Sequence, residues 1–462
     1  MISPTIVAEP RSSSGVRLGR FSFGLTGRAL GLLLLGTLWL VPAFFVHRFA
    51  WAVLIWDATV LVISLIDGLQ LPAPSQIEGT RKWMSVAALE SETEVELSIV
   101  QHGRYLLFCR LLDDLPAAFL ETPQWLEAAC YPNVPSALRY TFVPRARGDH
   151  AAGKLYLRYR SSVGLLERWS MVDLTQTVRT YPATGAGIGQ SLFLARSRQI
   201  ELQLRKQRQR GLGREFEALR EYRQGDDLRD VCWKASARRG APITKQYQTE
   251  RSQAVWLLLD AGRLLQARVG GRVGPYTKLD YATATALAMA QLALVSGDRV
   301  GLLAYGRETQ QLIAPARGGT QLRQIMESLA LVRGEAAEAD HLRATVTLNR
   351  LQPRRSLVLW LTDPAETSMQ PEVAEGAAQL MRRHLVLFVA MEQRDLRQIA
   401  AARPDNPQQM FTAAAAQEMV RWRELLLARL RQRGALTLET YPEEMTYLVL
   451  NRYLEIKERA ML

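Results

Sequence analysis

Two aspartates follow apolar segments that have the composition of buried strands. Asp260 ends the segment AVWLLLD, residues 254–260, and Asp363 follows SLVLWLT, residues 356–362. In a parallel sheet the carboxyl ends of the strands meet at one edge, where ligands bind. Two carboxylates at that edge would suit a hard divalent cation. The alternative is that each aspartate caps the following helix or bonds to the arginine-rich loop at residues 213–240, and the pattern alone favours neither.

A second candidate site is the segment GREFEALREYRQGDDLRDVCWKASARRG, residues 213–240. It mixes acidic, basic and aromatic side chains, which predicts either an ordered, ion-paired loop or a protein-docking surface. It contains no nucleophile beside a base, so we expect no catalytic residue in it. The residues that we single out are Glu215, Arg220, Tyr222, Gly225, Asp226, Asp227, Arg229, Trp233, Lys234, Ser236 and Arg238.

Motifs of common enzyme classes are missing from the sequence. It has no GxxxxGK[ST] phosphate loop, no GxSxG nucleophile turn and no HExxH zinc motif. The five histidines show no ligand spacing, and the three cysteines form no Cys-x-x-Cys pair. Few cysteines suit a reducing compartment and exclude a disulfide scaffold. We therefore expect a protein that is not an enzyme.

The N-terminal part contains two long apolar segments. Residues 29–46 carry no charge, and residues 51–66 carry a single acid. Together they predict a transmembrane helical hairpin over residues 29–67, after an N-terminal cytoplasmic tail over residues 1–28. Positive charge favours the cytoplasmic side. The hairpin turn holds only Arg48, whereas the flanks hold Arg11, Arg17, Arg20, Arg28, Arg81 and Lys82. We therefore expect a multi-pass protein of the inner (cytoplasmic) membrane whose soluble domains face the cytoplasm.

The soluble part changes character along its length. Residues 75–183 contain short segments of alternating polar and apolar residues, such as EVELSIV and KLYLRY, which predict a small β-sandwich. From residue 254 onward, apolar strands alternate with helices, which predicts an α/β doubly wound sheet. We place this second domain, with the 213–240 segment and C-terminal helices, at residues 213–462.

The chain is strongly basic. It has 58 Lys and Arg against 45 Asp and Glu, a net charge of +13, so anionic partners are favoured. The excess is concentrated near a predicted basic linker, residues 184–212, which would contact anionic membrane lipid. No aromatic residues for base stacking are interleaved there, so we expect no specific nucleic acid. A nucleic-acid-binding protein nevertheless remains one of the alternatives.

The 213–260 stretch resembles the signature of the domain-of-unknown-function 58 family. The two N-terminal spans, the Pro144–Gly148 turn, the Ser161–Leu165 turn and the C-terminal segment TYPEEMTYLVLNRYLEIKERAML fit the same family. The resemblance implies a von Willebrand factor A-like fold for the second domain. It also implies a partner, since these proteins are found with MoxR-type AAA+ ATPases.

The same resemblance implies where a metal site would lie. The metal-binding A fold uses Asp-x-Ser-x-Ser, and this chain has Asp260 followed by Ala261, Gly262, Arg263 and Leu264, without either serine. We place Asp340 at the position of the family's threonine and Asp363 at its last acid. Thr320, which resembles that threonine motif, is interpreted as a helix cap. The resulting site is degenerate and would hold at most a weakly bound Mg²⁺.

The leading hypothesis is a membrane-anchored cytoplasmic protein-interaction module. It would act as partner or adaptor of a MoxR-type AAA+ ATPase in protein maturation or complex assembly. The alternatives are a metal-assisted hydrolase that uses Asp260, Asp340 and Asp363, and the basic nucleic-acid-binding protein.

Overall fold

The computed structural model describes residues 11–17, 22–46, 50–120, 122–183, 215–222, 231–248, 253–269, 276–364, 371–459 and 461. The chain is a mixed α/β protein that divides into two compact units, Met1–Tyr181 and Pro182–Leu462. The predicted basic linker at 184–212 lies outside the described residues, as do Gly225, Asp226, Asp227 and Arg229 of the 213–240 segment.

The described residues of the first unit form three α-helices and eleven strands. The helices are α1 (Gly27–Gly36), α2 (Leu40–Phe45) and α3 (Ala50–Gln70). The strands are β1 (Arg11–Arg17), β2 (Phe23–Leu25), β3 (Ile77–Trp83), β4 (Thr93–Gln101), β5 (Leu107–Asp113), β6 (Trp125–Cys130), β7 (Ser136–Phe142), β8 (Gly148–Ala152), β9 (Leu155–Arg160), β10 (Leu166–Val172) and β11 (Gln176–Thr180).

The strands of the first unit pack around a shared apolar core. Their order is β6-β5-β9-β10-β1-β3-β4-β7, with β2 beside β10 and a separate pair β11-β8. Every second residue of β4 is buried, as the alternating sequence predicts. The core joins Ile77 and Leu97 from one half of this sheet to Leu111 and Leu157 from the other. The two halves thus face each other as the layers of a β-sandwich do.

The N-terminal tail predicted for residues 1–28 contains two strands among its described residues. Residues 11–14 of β1 pair with β3, and residues 15–17 pair with β10, so β1 belongs to both halves of the sheet. Residues 23–25 pair with β10 as β2. These residues were missed because β1 is mostly polar and its partners lie far along the chain.

The two apolar segments form helices that pack against each other. Trp51–Gln70 is 20 residues long with a mean hydropathy of 2.0, long and apolar enough to cross a membrane, whereas Gly27–Pro42 is a shorter apolar helix. A 3₁₀ turn at Thr37–Trp39 separates α1 from α2, because Pro42 lacks an N–H and its ring displaces the carbonyl four residues earlier. The Trp56 indole donates a hydrogen bond to the Leu32 carbonyl at 2.8 Å and joins the helices.

A buried ion pair ties the sandwich together. Arg81 is fully buried and pairs with Asp113, while its Nη1 donates to the Leu174 carbonyl at 2.9 Å. The Tyr140 hydroxyl also donates to Asp113, at 2.5 Å. These contacts satisfy both charges inside an apolar region, and they join strands β3, β5 and β7.

The described part of the second unit contains eight helices and eight strands. The strands are β12 (Glu215–Glu221), β13 (Ile243–Gln248), β14 (Ala254–Asp260), β15 (Arg299–Tyr305), β16 (Thr309–Ala316), β17 (Leu357–Thr362), β18 (Leu385–Met391) and β19 (Leu436–Thr440). The helices are α4 (Trp233–Arg239), α5 (Lys278–Val295), α6 (Gly318–Leu331), α7 (His341–Leu351), α8 (Pro371–Met381), α9 (Arg394–Ala401), α10 (Pro407–Gln432) and α11 (Pro442–Glu458).

The main sheet of this unit has the order β16-β15-β14-β17-β18-β19. All neighbours are parallel except β15 and β16. All residues of β14, β17 and β18 are buried, because helices cover both faces of the sheet. The chain leaves β14 in one direction, to β15, and later resumes on the other side at β17. This reversal places a crevice between the ends of β14 and β17, the usual ligand position in such sheets.

Candidate functional site

Asp260 and Asp363 lie together at the crevice, as the sequence predicts. Asp260 is the last residue of β14, and Asp363 directly follows β17, which pairs with β14 in parallel. A small cavity of about 20 Å³ opens there, roughly the space that one water molecule needs. It is lined by Asp260, Gly262, Arg263, Leu264, Glu338, Ala339, His341 and Asp363.

Asp363 is neutralised by two basic side chains of the protein itself. The ammonium group of Lys278 forms an ion pair with its Oδ2, and Arg423 Nη1 lies 3.5 Å from its Oδ1. Lys278 and Asp363 are 2% and 1% exposed. Burial lowers the pKa of Lys278, and the charge of Asp363 partly opposes this. Arg423 also donates from Nε to Glu439 at 2.8 Å. The positive charges beside Asp363 thus come from side chains of the protein, Lys278 and Arg423.

Asp260 is held by neutral donors. Its Oδ1 accepts from the Gly262 N–H at 2.7 Å, and its Oδ2 accepts from the Thr362 hydroxyl at 2.6 Å. Burial raises the pKa of Asp260, an effect that His341 and the two hydrogen bonds oppose. These two donors lie just after β14 and at the end of β17, and not in the 213–240 segment that the alternative interpretation named.

Asp340 begins helix α7, as predicted. It is the N-cap residue, and its Oδ1 accepts from the Arg343 N–H at 2.8 Å. Thr320, in contrast, is not a helix cap, because α6 begins at Gly318 with Arg317 at the cap position. The observed cap lies three residues before the predicted one.

A hydrogen-bonded aromatic chain lies beside the acids. The Trp360 indole donates to the Tyr305 hydroxyl at 2.8 Å, and that hydroxyl lies 2.9 Å from His341 Nδ1. All three side chains are almost fully buried. Burial raises the pKa of Tyr305 well above its ordinary value, and the nearby charge of Asp260 adds to the effect. This neutral tyrosine fixes the ring of His341 at the wall of the cavity.

The donor set does not fit the Mg²⁺ that the family resemblance implies. Both oxygens of Asp363 face basic groups, both oxygens of Asp260 accept hydrogen bonds, and Asp340 caps its helix. Within the described ranges, no group of three or more His, Cys, Asp or Glu could hold a metal ion. A divalent ion would have to displace Lys278 and repel Arg423, which electrostatics opposes.

Sequence reasoning missed Lys278, the residue that decides this chemistry. It is the first residue of α5, after a capping box in which Thr277 and Asp280 bond to each other's backbone N–H. The signal was available, because Lys278 is the one basic residue of an otherwise apolar helix. A larger cavity of about 550 Å³ opens beside Lys278, between strand ends, with Arg268, Arg394 and Tyr441 in its wall.

The 213–240 segment forms part of a hairpin with a short helix. Glu215 and Arg220 lie on β12, which pairs with β13, and Tyr222 follows it. The helix α4 precedes β13. Its Ser236 is structural, because its hydroxyl donates to the Cys232 carbonyl at 3.0 Å and accepts from the Ile243 N–H at 2.9 Å.

One side of helix α4 is exposed to solvent. Trp233 is 71% exposed, and Lys234 and Arg238 are also exposed. A large exposed tryptophan beside basic residues is typical of an interaction surface rather than of a folded core. We call Trp233, Lys234 and Arg238 the α4 surface.

Similar sequences occur in bacteria. Uncharacterised proteins of Mycobacterium tuberculosis and Mycobacterium bovis are each 31% identical over 162 residues, which is 33% of this chain and 48% of the relative. The chain thus spans about half the length of these curated relatives.

Among solved structures, the conserved hypothetical protein BatB of Bacteroides thetaiotaomicron is 14% identical. The alignment covers 45% of this chain and 100% of that one, with a TM-score of 0.25, too low to support an argument. The family comparison is more direct. Residues 218–417 match the model described as "Protein of unknown function DUF58", the family that the 213–260 stretch resembles.

Proposed function

We propose that this chain is a membrane-anchored protein-interaction module with no catalytic activity of its own. Its second unit, which we take to be von Willebrand factor A-like, docks a partner protein in the cytoplasm. On the family resemblance, that partner is a MoxR-type AAA+ ATPase, which the chain serves as partner or adaptor in protein maturation or complex assembly.

The observation that carries the proposal is the α4 surface. Trp233 exposes 71% of its area to solvent, and a tryptophan so exposed can bury a large apolar area against a partner. Tryptophan and arginine supply much of the binding energy at protein interfaces. The adjacent basic side chains, and the net charge of +13, favour a partner with an acidic face.

The crevice supports binding without metal chemistry. Lys278 and Arg423 already neutralise Asp363, so the unit needs no divalent ion to keep its strand-end acids together. A rigid site of this kind can present a surface, but it offers no activated nucleophile or metal-bound water.

The apolar helices support anchoring. Helix α3 exposes large apolar side chains along its length, including Leu54 at 60%, Leu61 at 49% and Leu69 at 78%. In water this surface would be strongly unfavourable, whereas hydrocarbon accommodates it. The shorter α1 and α2 pack on α3 and would complete a hairpin.

Capture of the ATPase tests the proposal. The full chain in detergent, carrying an affinity tag, is incubated with a purified MoxR-type ATPase from the same genome, and the Kd is measured. Trp233→Ala should weaken binding by at least about tenfold, equivalent to ~1.4 kcal/mol. Trp125→Ala, which removes a 47% exposed tryptophan from the sandwich, is the matched control.

Three results separate the parts of the proposal. Loss of binding in Trp233→Ala but not in Trp125→Ala supports it. Equal binding by both variants overturns the assignment of the α4 surface. No binding by the unaltered chain, with or without nucleotide, overturns the ATPase partnership.

A further inference from the structure

Both apolar helices are fastened to a single turn of the sandwich, residues 161–166, which we call the anchor turn. At the start of α1, the Thr26 hydroxyl donates to the Gly164 carbonyl at 2.7 Å, and the Thr26 N–H donates to the Leu165 carbonyl at 3.0 Å. Arg28 Nη1 donates to the Val163 carbonyl at 3.2 Å. The first helix therefore begins in contact with the sandwich.

The end of α3 is hydrogen-bonded to the same turn. Asp67 is 2% exposed, and its Oδ2 accepts from the N–H groups of Leu165 and Leu166 at 2.9 and 3.1 Å. Its Oδ1 accepts from the Ser161 hydroxyl. A buried carboxylate is tolerated only when donors satisfy it, and three donors of one turn do so here. The base of the helices and the sandwich are consequently joined through buried bonds.

Two arginines lie over the anchor turn. Gly164 has φ of +68°, and a Cβ at this position would lie 3.3 Å from Arg160 Cδ and 3.4 Å from Arg28 Nη1. Glycine thus allows both the turn and the close approach of the two side chains. Two guanidinium groups at the base of apolar helices are suited to anionic lipid headgroups.

Exposed apolar side chains surround these arginines. Val163 of the anchor turn is 52% exposed, and Phe23 and Leu25 of β2, which pairs with β10 next to the turn, are 44% and 41% exposed. Leu30, one turn into α1, and Ile66, next to Asp67 in α3, are 50% and 51% exposed. The apolar surface of the helices therefore continues onto the sandwich, and its mixture of apolar and cationic groups is typical of the membrane interface.

We propose that the anchor turn and β2 form a lipid-contacting face that lies in the anionic headgroup layer of the bilayer. The sandwich then contacts the membrane and has a fixed orientation relative to it, instead of being connected to the helices by a flexible linker. This inference rests on the proposed membrane anchoring and adds to it a second, peripheral contact.

Site-directed spin labelling of the full chain in nanodiscs tests this contact. Labels are placed at Val163→Cys, at Val143→Cys and at Ile63→Cys, each with Cys232→Ser, since the other two cysteines are buried. Val143 is 40% exposed and follows the end of β7. The pairing of β7, β4 and β3 places it at the end of the sandwich opposite the anchor turn. Ile63 reports on insertion of α3.

Collision of each label with oxygen, which concentrates in lipid, and with a water-soluble nickel chelate gives its depth. In nanodiscs containing anionic lipid, we expect the oxygen-to-nickel ratio to be highest at Ile63, intermediate at Val163 and lowest at Val143. We also expect the ratio at Val163 to fall when the lipid is purely zwitterionic, while that at Ile63 stays unchanged.

The outcomes distinguish this inference from the anchoring on which it rests. A lipid-exposed label at Ile63 together with equal, water-like values at Val163 and Val143 overturns the headgroup contact and leaves the anchoring intact. A water-exposed label at Ile63 overturns both. A ratio at Val163 that does not depend on anionic lipid overturns the role of the arginines.

Discussion

At the scale of single residues, the crevice is governed by Lys278. Its ammonium group reaches Asp363 at the position where a cation-binding sheet would present its acids to an ion. Because Lys278 is part of the chain, its charge does not have to be bound from solution as a metal ion would be. A chelator cannot remove it. The second unit thereby keeps two buried aspartates at neighbouring strand ends without depending on the supply of metal.

Replacement of Lys278 tests whether its ion pair with Asp363 stabilises the second unit. Lys278→Met should lower the free energy of unfolding by about 3–5 kcal/mol, because Asp363 is left buried with only the more distant Arg423. The double variant Lys278→Met, Asp363→Leu should recover part of the loss, since the unpaired charge is gone. Chemical denaturation of the full chain in detergent measures both. Calorimetric binding of Mg²⁺ by the unaltered chain, abolished in Asp363→Asn, would contradict this account.

Asp260 should make stability depend on pH. Burial raises its pKa above the ordinary value of 3.8, so the folded chain keeps this proton to a higher pH than the unfolded chain. Between the pKa of Asp260 in the unfolded chain and its pKa in the folded chain, the folded chain binds more protons. The contribution of protonated Asp260 to stability is therefore lost as pH rises through the folded pKa.

Asp260→Asn removes the titration but keeps the shape and one acceptor. The free energy of unfolding of the variant, relative to the unaltered chain, should therefore increase from about pH 4 upward, by ~1.4 kcal/mol for each unit by which the pKa is raised. Parallel denaturation curves across the pH range measure it. A difference that stays constant with pH would show that Asp260 titrates normally.

At the scale of elements, a buried ion pair of the sandwich should contribute much more to the free energy of unfolding than an exposed one. Arg81 is 0% exposed and bonds to Asp113 and two carbonyls, whereas Arg110 and Glu127 form a pair whose side chains are 65% and 66% exposed. Arg81→Met should cost about 3–5 kcal/mol of stability, and Arg110→Met at most about 1 kcal/mol. Equal shifts in denaturation midpoint would contradict the assigned role of burial.

How far the sequence predicts these elements depends on where their partners lie. The strand at Ala254–Asp260 is predicted to the residue, because a strand covered on both faces is a nearly continuous apolar run. The aspartates at the crevice are predicted for the same reason. In contrast, β1 carries no such pattern, and Lys278 meets Asp363 across 85 residues of sequence. Contacts of this kind depend on topology, which local periodicity does not encode.

At the scale of the whole molecule, the orientation in the membrane is the main prediction. Arg81, which the sequence counts among the cytoplasmic charges, is buried against Asp113 and cannot face lipid headgroups. In the sequence, the exposed Arg28 and Lys82 flank the hairpin, and Arg48 falls between its two apolar segments. The charge difference still favours cytoplasmic ends, but by a smaller margin.

Reporter fusions after Leu462 test that orientation. Green fluorescent protein fused there should fluoresce, and alkaline phosphatase fused there should be inactive, because the first folds in the cytoplasm and the second needs an oxidising compartment. Washing membranes with alkaline carbonate should leave the chain in the pellet. An active phosphatase would place the second unit outside the cytoplasm and remove it from any cytoplasmic ATPase.

The position of β1 imposes an order on biosynthesis. Gly15 pairs with Val172, and the apolar helices lie between them in the sequence. At roughly 5–20 residues per second, the ribosome needs about 8–30 s to make the partner strand after β1 has been synthesised. During that interval residues 11–14 of β1 can already pair with β3, whereas residues 15–17 still lack their partner strand β10. The sandwich can close only after β10 has been made, which leaves time for the proposed membrane insertion to precede closure.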